Sequence, residues 1–390
     1  MLKVCVMFGT RPEAIKMAPV IRELKRHAET IHTITVVTAQ HREMLDQVLG
    51  VFDLASDEDM DLMIPQQTLH GLSSKVLVNA TNVLQAMAPN FVLVQGDTTT
   101  TFAVALAAFY LRIPVGHIEA GLRTYNRFQP FPEEINRRLT TVLADLHFAP
   151  TETARSNLIA EGVDPARVRV TGNTVIDALL SIIPRDYDFS SSVLAGVDRT
   201  RKWILVTAHR RENFGAPLQN ICRALRHLAQ AHDVEIIFPV HPNPNVSPVV
   251  HDALGGIKNI HLLPPLPYDL LAHVMNAAAI CLTDSGGIQE EAPSLGKPVL
   301  VMRDVTERPE AVSAGTALLV GTDSERIVKE TERLLGDPGA YQAMAQRVNP
   351  YGDGKAAKRI VSTILREFGL ASTEEAAFSW SAGDARRSQK

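Results

Sequence analysis

Short apolar runs alternate with longer amphipathic stretches along almost the whole chain. In the first half, Lys3–Phe8, Thr33–Val37, Phe91–Val94, Val115–Ile118 and His147–Ala149 read as strands. They are continuous apolar runs, the pattern of strands covered on both faces. Apolar positions recur at helical spacing near Pro12–His27, His41–Leu49, Leu69–Met87, Thr99–Leu111, Glu133–Ala144 and Glu152–Ala160. The cycle restarts at Trp203–Thr207, Val234–Pro239, Ile260–Leu262, Ala279–Leu282, Pro298–Val301 and Ala317–Leu319, with helices between. Alternation of this kind predicts an α/β protein with parallel sheets. Ile182–Arg201 carries a proline, aspartates, serines and a glycine, which is linker composition. The expected organisation is a Rossmann-like domain over 1–184, a second over 185–352, a helix over 353–370 packing back toward the first, and a disordered tail over 371–390. Two doubly wound domains facing a deep cleft would bind ligands beyond the carboxyl ends of their strands.

Composition narrows the class. The chain has 390 residues, 45% hydrophobic and 21% charged, as in a soluble two-domain protein. A net charge of −4 leaves no electrostatic footprint for nucleic acid. No apolar run is long enough to span a bilayer, and the N-terminus reaches Gly9 too soon for a signal-peptide core. Cys5, Cys222 and Cys281 lie far apart in apolar surroundings and read as buried thiols of a reducing compartment. The expectation is a cytoplasmic protein with no membrane or nucleic-acid partner.

Candidate chemistry collects where strands end. Thr283-Asp284-Ser285-Gly286-Gly287-Ile288-Gln289-Glu290-Glu291 closes an apolar run and opens a helix. Glycines there let a phosphate approach the free N–H groups of the new helix, and an acid turned sideways can accept from a ribose diol. The alternative is that Ser285 caps the helix and Glu290 and Glu291 complement its dipole. Gly9-Thr10-Arg11-Pro12-Glu13 has capping-box spacing, but Arg11 and Lys16 place two cations beside a helix N-terminus, which an anion would offset. Asp97, Glu119 and Glu133 are brought to one sheet edge. Singly, Asp97 could cap a helix, Glu119 could pair with Arg123, and Glu133 could be a first-turn acid. Jointly, convergent carboxylates suit acid–base work, because burial and mutual repulsion raise their pKa values. His209 ends the opening strand of the second half, placed to meet a phosphate or a leaving group. The thirteen histidines form no metal-ligand spacing, and no dinucleotide or P-loop pattern is present, so neither NAD, ATP nor a metal is expected.

With these motifs in hand, the chain resembles the bacterial non-hydrolysing UDP-N-acetylglucosamine 2-epimerases. The resemblance rests on Gly-Thr-Arg-Pro-Glu-Ala, Gly-Asp-Thr-Thr-Thr-Thr, Glu-Ala-Gly-Leu-Arg-Thr, Pro-Glu-Glu, His-Arg-Arg-Glu-Asn and Asp-Ser-Gly-Gly-Ile-Gln-Glu-Glu-Ala-Pro, in that order, and runs to about Leu370. It implies a glycosyltransferase-B-type fold and interconversion of UDP-N-acetylglucosamine and UDP-N-acetylmannosamine by a homodimer, for surface polysaccharide supply, with no cofactor. It further implies that Ser285, Gly286 and Gly287 bind phosphate, that Glu291 binds ribose, and that Arg11, His209 and Arg308 lie on the UDP. Asp97, Glu119 and Glu133 would carry the proton steps, His209 would join the catalytic set, and Lys16 and Arg137 would support them. Gln40, Glu43, Glu134, Arg210 and His241 fall where some members bind a second UDP-N-acetylglucosamine as activator; Glu43 departs from the glutamine of some members. The rivals are a UDP-sugar glycosyltransferase of the same fold, a hydrolysing 2-epimerase, and a non-catalytic nucleotide-sugar sensor.

Overall fold

Two parallel sheets organise the chain. The computed structural model describes residues 1–38, 42–62 and 67–380, with side chains for all of these but 42–44. Among the described residues the first sheet has seven strands: β1 (Leu2–Phe8), β2 (Ile31–Val37), β3 (Glu58–Asp59), β4 (Phe91–Gln95), β5 (Val115–Ile118), β6 (Leu146–Ala149) and β7 (Val168–Val170), in the order β3-β2-β1-β4-β5-β6-β7. The second has six: β8 (Lys202–Thr207), β9 (Val234–Pro239), β10 (Ile260–Leu263), β11 (Ala278–Thr283), β12 (Val299–Val301) and β13 (Ala317–Leu319), in the order β10-β9-β8-β11-β12-β13. In each sheet the winding reverses beside the opening strand, between β1 and β4 and between β8 and β11. Such a switch point leaves an opening beyond the strand ends.

The elements follow from burial. β4, β5 and β6 are buried along their whole length, as expected of strands with helices on both faces. In the first unit Met7, Val36, Val92 and Val94 pack against Val76, Leu84 and Val104. In the second, Ile204, Ile236, Phe238 and Leu300 pack against Leu225 and Leu228. The three cysteines are unpaired and buried, and burial pushes the thiols of Cys5 and Cys281 up to about 12. The two strands that hydropathy did not signal are β3, two acidic residues on the edge of the sheet, and β7, three residues with Arg169 at their centre.

The chain divides into two compact units, one formed by Met1–Ala178 with Tyr351–Ser379 and the other centred on Leu179–Pro350. The passage between them falls inside the helix Thr174–Ile182. In the first unit the helix Ala356–Glu367 packs on the helix Arg11–Arg26. The stretch 371–379, polar enough to suggest disorder, is tied down instead. Glu374 pairs with Arg169 (2.9 Å) and Arg366, and the Phe378 N–H donates to the carbonyl of Val170 (2.9 Å). Residues 381–390 of the expected tail lie outside the described residues.

Asp177 holds the C-terminal helix from beneath. Lys355 gives that helix no side-chain cap, and Asp177 accepts from the N–H groups of Ala356 (3.2 Å) and Ala357 (2.8 Å) instead. Burial pushes its carboxyl up to about 6, and the two N–H bonds offset this only in part. Because the folded value lies above the unfolded one, its contribution to stability is present below about pH 4 and is lost as pH rises through about 6. Thermal unfolding across this range should show a flatter pH dependence for Asp177→Asn than for wild type. Asp177→Ala should lose about 1–2 kcal/mol of stability below about pH 4, since both donors lose their acceptor, and less as pH rises through about 6. Unchanged slope in the asparagine variant would contradict this role.

Candidate active site

Glu119 follows β5 in the left-handed region, with φ of 63°, a conformation a non-glycine residue holds only when its surroundings impose it. Here three elements impose it. Lys16 Nζ, from the helix Arg11–Arg26, donates to both carboxylate oxygens at 2.6 and 2.7 Å. Gln95 Nε2, at the end of β4, donates to Oε2, and Asn173 Nδ2, beyond β7, donates to Oε1 at 3.0 Å. The Glu119 side chain is 7% exposed. The pairing of Glu119 with Arg123 does not form; Arg123 binds Glu161 instead. The anion that offsets Lys16 is therefore this carboxylate.

Asp97 lies one residue past Gly96, whose φ of 75° turns the chain out of β4. It does not cap the helix Thr99–Tyr110; Thr98 does, accepting from the N–H of Thr101 at 3.1 Å. The Asp97 carboxylate is thus left to Arg137, which donates from Nε (3.1 Å) and Nη2 (2.5 Å). Burial raises the Asp97 pKa above the ordinary carboxylate value, the charge of Glu119 adds to this, and Arg137 and Lys16 pull the other way. A carboxyl so placed holds a proton more readily than an ordinary aspartate. His117 holds the turn from below. Burial lowers its pKa to about 3, so the ring is neutral, and its Nε2–H donates to the carbonyl of Gly96 (2.7 Å).

The helix Glu133–Leu143 supplies Arg137 and, one turn earlier, Glu133. Glu133 is a first-turn acid as its position suggested, yet its Oε2 is enclosed with no hydrogen-bond partner among the described residues. Glu134 is fully buried; its oxygens accept from the N–H groups of Thr124 and Tyr125, both at 3.0 Å, and face Arg137. That side chain shapes the loop before the helix. Thr10 and Glu13 form the expected capping box, and Glu13 also accepts from Thr98 (2.6 Å). Arg11, on the same first turn, has no ion pair or side-chain hydrogen bond among the described residues. Gln40 and the Glu43 side chain lie outside them.

The second unit gathers a different set. Ser285 precedes the helix Gly286–Glu291 but makes no side-chain cap, so its hydroxyl is not committed to that helix. Glu290 and Glu291 stand at the far end of the helix rather than in its first turn, which corrects the dipole reading. A Cβ added at Gly286 would lie 3.7 Å from Arg210 Nη2 and from the Arg308 guanidinium, so two cations flank a position that carries no side chain. Arg308 is held by Glu290. Glu291 accepts from the buried Tyr268 hydroxyl at 2.6 Å, and its Oε2 lies beside Gly287, at 3.6 Å from a Cβ built there. His209 stacks on His241 with ring centroids 5.8 Å apart. Asp284 is wholly buried and accepts at Oδ2 from the N–H groups of His209 and Arg210, both at 2.8 Å, and from Asn213 Nδ2 at 3.0 Å.

The structure therefore joins Lys16, Asp97, Glu119 and Arg137 in one charged network, with Glu133 a turn away, and groups His209, Arg210, His241, Ser285, Gly286, Gly287, Glu291 and Arg308 around the β8 and β11 strand ends. Sequence reasoning missed Gln95, His117, Asn173, Tyr268 and Asp284. Gln95 and Asp284 sit inside the motifs themselves, whereas Asn173 and Tyr268 carried no local signal. Among the described residues no cluster of three or more histidine, cysteine, aspartate or glutamate side chains could hold a metal, and no helix is long and apolar enough to cross a membrane.

Comparison with known proteins identifies the family. Residues 22–365 match the family model described as UDP-N-acetylglucosamine 2-epimerase. The UDP-N-acetylglucosamine 2-epimerase of Escherichia coli K12 is 54% identical over 372 residues, 93% of this chain and 98% of that protein. The crystal structure of the Neisseria meningitidis enzyme bound to UDP-GlcNAc superposes with a TM-score of 0.84 at 50% identity, covering 94% of this chain and 100% of that one. A structure of S. aureus MnaA with UDP gives 0.86 at 46% identity, covering 97% and 100%. On this evidence the chain belongs to the UDP-N-acetylglucosamine 2-epimerase family.

Proposed function

We propose that this chain reversibly inverts C2 of UDP-N-acetylglucosamine, giving UDP-N-acetylmannosamine, by eliminating and re-adding UDP. The observation that carries the reading is the Lys16–Glu119 and Asp97–Arg137 network: two part-buried carboxylates, each held by a cation, with the pKa of one raised. A sensor or a simple transferase has no need of it.

The C2 proton of the sugar is hardly acidic, because no carbonyl adjoins it in the ring. Breaking the C1–O bond sends its electron pair out with UDP and gives C1 oxocarbenium character, which makes the C2 proton removable. A carboxylate takes that proton as the C1–C2 double bond of 2-acetamidoglucal forms. UDP then adds back to C1 while a proton returns to C2 on the opposite face. Two faces call for two proton carriers, drawn from Asp97, Glu119 and Glu133. Lys16 and Arg137 would orient the first two and compensate their charge. Arg308 and Arg11, with the turn Ser285–Gly287, would bind the diphosphate and stabilise the charge that builds on it. Glu291, aimed by Tyr268, would accept from the ribose hydroxyls. Arg210 and His241 would serve a second UDP-N-acetylglucosamine as activator, with Glu134 acting through the loop it holds. A homodimer in the cytoplasm, feeding surface polysaccharide synthesis, fits this reading.

Turnover in heavy water should place deuterium at C2 of the product, read by proton NMR; turnover without exchange would rule the mechanism out. Asp97→Asn and Glu119→Gln should each lower kcat by about 10²–10⁴-fold. Their affinity for UDP, measured by calorimetry, should stay close to wild type. Full activity in both variants would remove the carboxylates from the reaction. An activator site predicts a sigmoidal dependence of rate on UDP-N-acetylglucosamine, and a strictly hyperbolic curve would contradict it.

A further inference from the structure

Asp284 is the most enclosed charge among the β8 and β11 strand ends. It follows β11 directly, and β11 pairs in register with β8, Thr283 beside Thr207. Its N–H donates to the carbonyl of Thr207 at 3.1 Å, which places its carboxyl beneath the turn that carries His209. Oδ2 is saturated by three N–H donors, from His209, Arg210 and Asn213. Oδ1 makes no hydrogen bond of good geometry among the described residues, but it lies 3.2 Å from His209 Nδ1. A slight turn of the half-exposed ring makes that contact a hydrogen bond. Nothing else among the described residues competes for Oδ1, and a buried carboxylate oxygen facing a ring nitrogen at this distance favours a proton between them.

We infer that Asp284 is a positioning residue for His209: it accepts from Nδ1–H and leaves Nε2 toward the diphosphate of the nucleotide sugar, where Nε2 is bare in the neutral ring and becomes a donor once the ring takes up a proton from water. This rests on the epimerase reading above for the role of Nε2, but not for the tautomer. No bond is made or broken at Asp284. The groups around the ring are unequal. Burial and the charges of Arg210, His241 and Arg303 disfavour the imidazolium, and only Asp284 favours it. The carboxylate therefore does two things at once: it fixes which nitrogen is presented, and it stabilises the imidazolium formed when Nε2 takes a proton from water, so that Nε2–H can donate to the departing UDP.

Asp284→Asn separates these effects from packing. The three N–H donors require the amide oxygen at the Oδ2 position, so the amide nitrogen must face His209 Nδ1. An NH2 donates, so Nδ1 must accept, and the ring proton moves to Nε2. With histidine labelled in ¹⁵N, and His209 assigned by its loss in His209→Gln, the wild-type ring should be protonated at Nδ1 and the Asp284→Asn ring at Nε2. The variant should lose at least about ten-fold in kcat, toward the ~10⁴-fold seen when a Ser–His–Asp triad holds the wrong tautomer. Its KM should rise by less than about three-fold, because the neutral Nε2–H of the variant can still donate to the diphosphate. The limb of the pH–rate profile that reports His209 should move to lower pH. A purely structural Asp284 would lower thermal stability without changing the tautomer or the pH profile. A wild-type ring protonated at Nε2 would overturn the inference, as would an asparagine variant with unchanged kcat and pH profile. If the variant does not fold, the wild-type spectrum decides alone. Failure of the epimerase reading would show separately, as no C2 inversion by wild type, whatever the tautomer.

Discussion

A carboxylate withdrawn from water must be given donors or it will take up a proton, and the first unit is arranged around meeting that demand at Glu119. Leaving such a charge unpaired costs several kcal/mol, so removing one partner of a buried pair is severe. Lys16 supplies the countercharge, and Gln95 and Asn173 supply neutral donors from either side. These three residues come from a helix, the end of β4 and the segment past β7, and each can reach Glu119 only because the parallel sheet brings its strand ends to one edge. The left-handed backbone at Glu119 is strain that this clamp supports. Its neighbour Asp97 is treated differently. It has one arginine and more burial than that arginine offsets, so its pKa rises. Two carboxylates on one edge thus sit in different surroundings, Glu119 clamped by three donors and Asp97 held by one arginine.

The second unit solves the same problem with the opposite sign. Two guanidinium groups flank Gly286, where a side chain would fill the space between them. Arg308 is restrained by Glu290, and Asp284 draws the N–H groups of residues 209 and 210 inward beneath the β8 turn. Glu290 and Asp284 are therefore each engaged in holding a donor in place. Glu291 differs in having Tyr268 as its fixed partner, which suits an acceptor that must keep one oxygen aimed.

Much of this was legible in the chain. Apolar runs without alternation gave the two parallel sheets, because strands covered on both faces need no polar side. The glycine and acid residues at the strand ends pointed to the candidate sites, because a doubly wound sheet leaves its openings there. What could not be read was pairing between distant elements. Glu119 has Arg123 four residues on, and sequence proximity favoured that pair; the fold instead delivers Lys16, from 103 residues away. Ser285 has the composition of a cap but not the geometry, and the two acids after it fall beyond the first helical turn. β7 was too short and too polar to announce itself, so Asn173 at its end went unnoticed. The polar segment 371–379 looked unable to fold, yet Glu374 and Phe378 anchor it to β7 and the last helix through contacts that no local window contains.

The account stands on departure of UDP from C1 while acidic groups handle the hydrogen on C2. Positional isotope exchange tests this most directly. UDP-N-acetylglucosamine labelled with oxygen-18 in the bridge between C1 and the β-phosphorus should, during turnover, return substrate in which the label has scrambled into the non-bridging β-phosphate oxygens, visible as a shift in the phosphorus NMR signal. Epimerised product that keeps all of its label in the bridge would contradict release of UDP from C1 as a group free to turn.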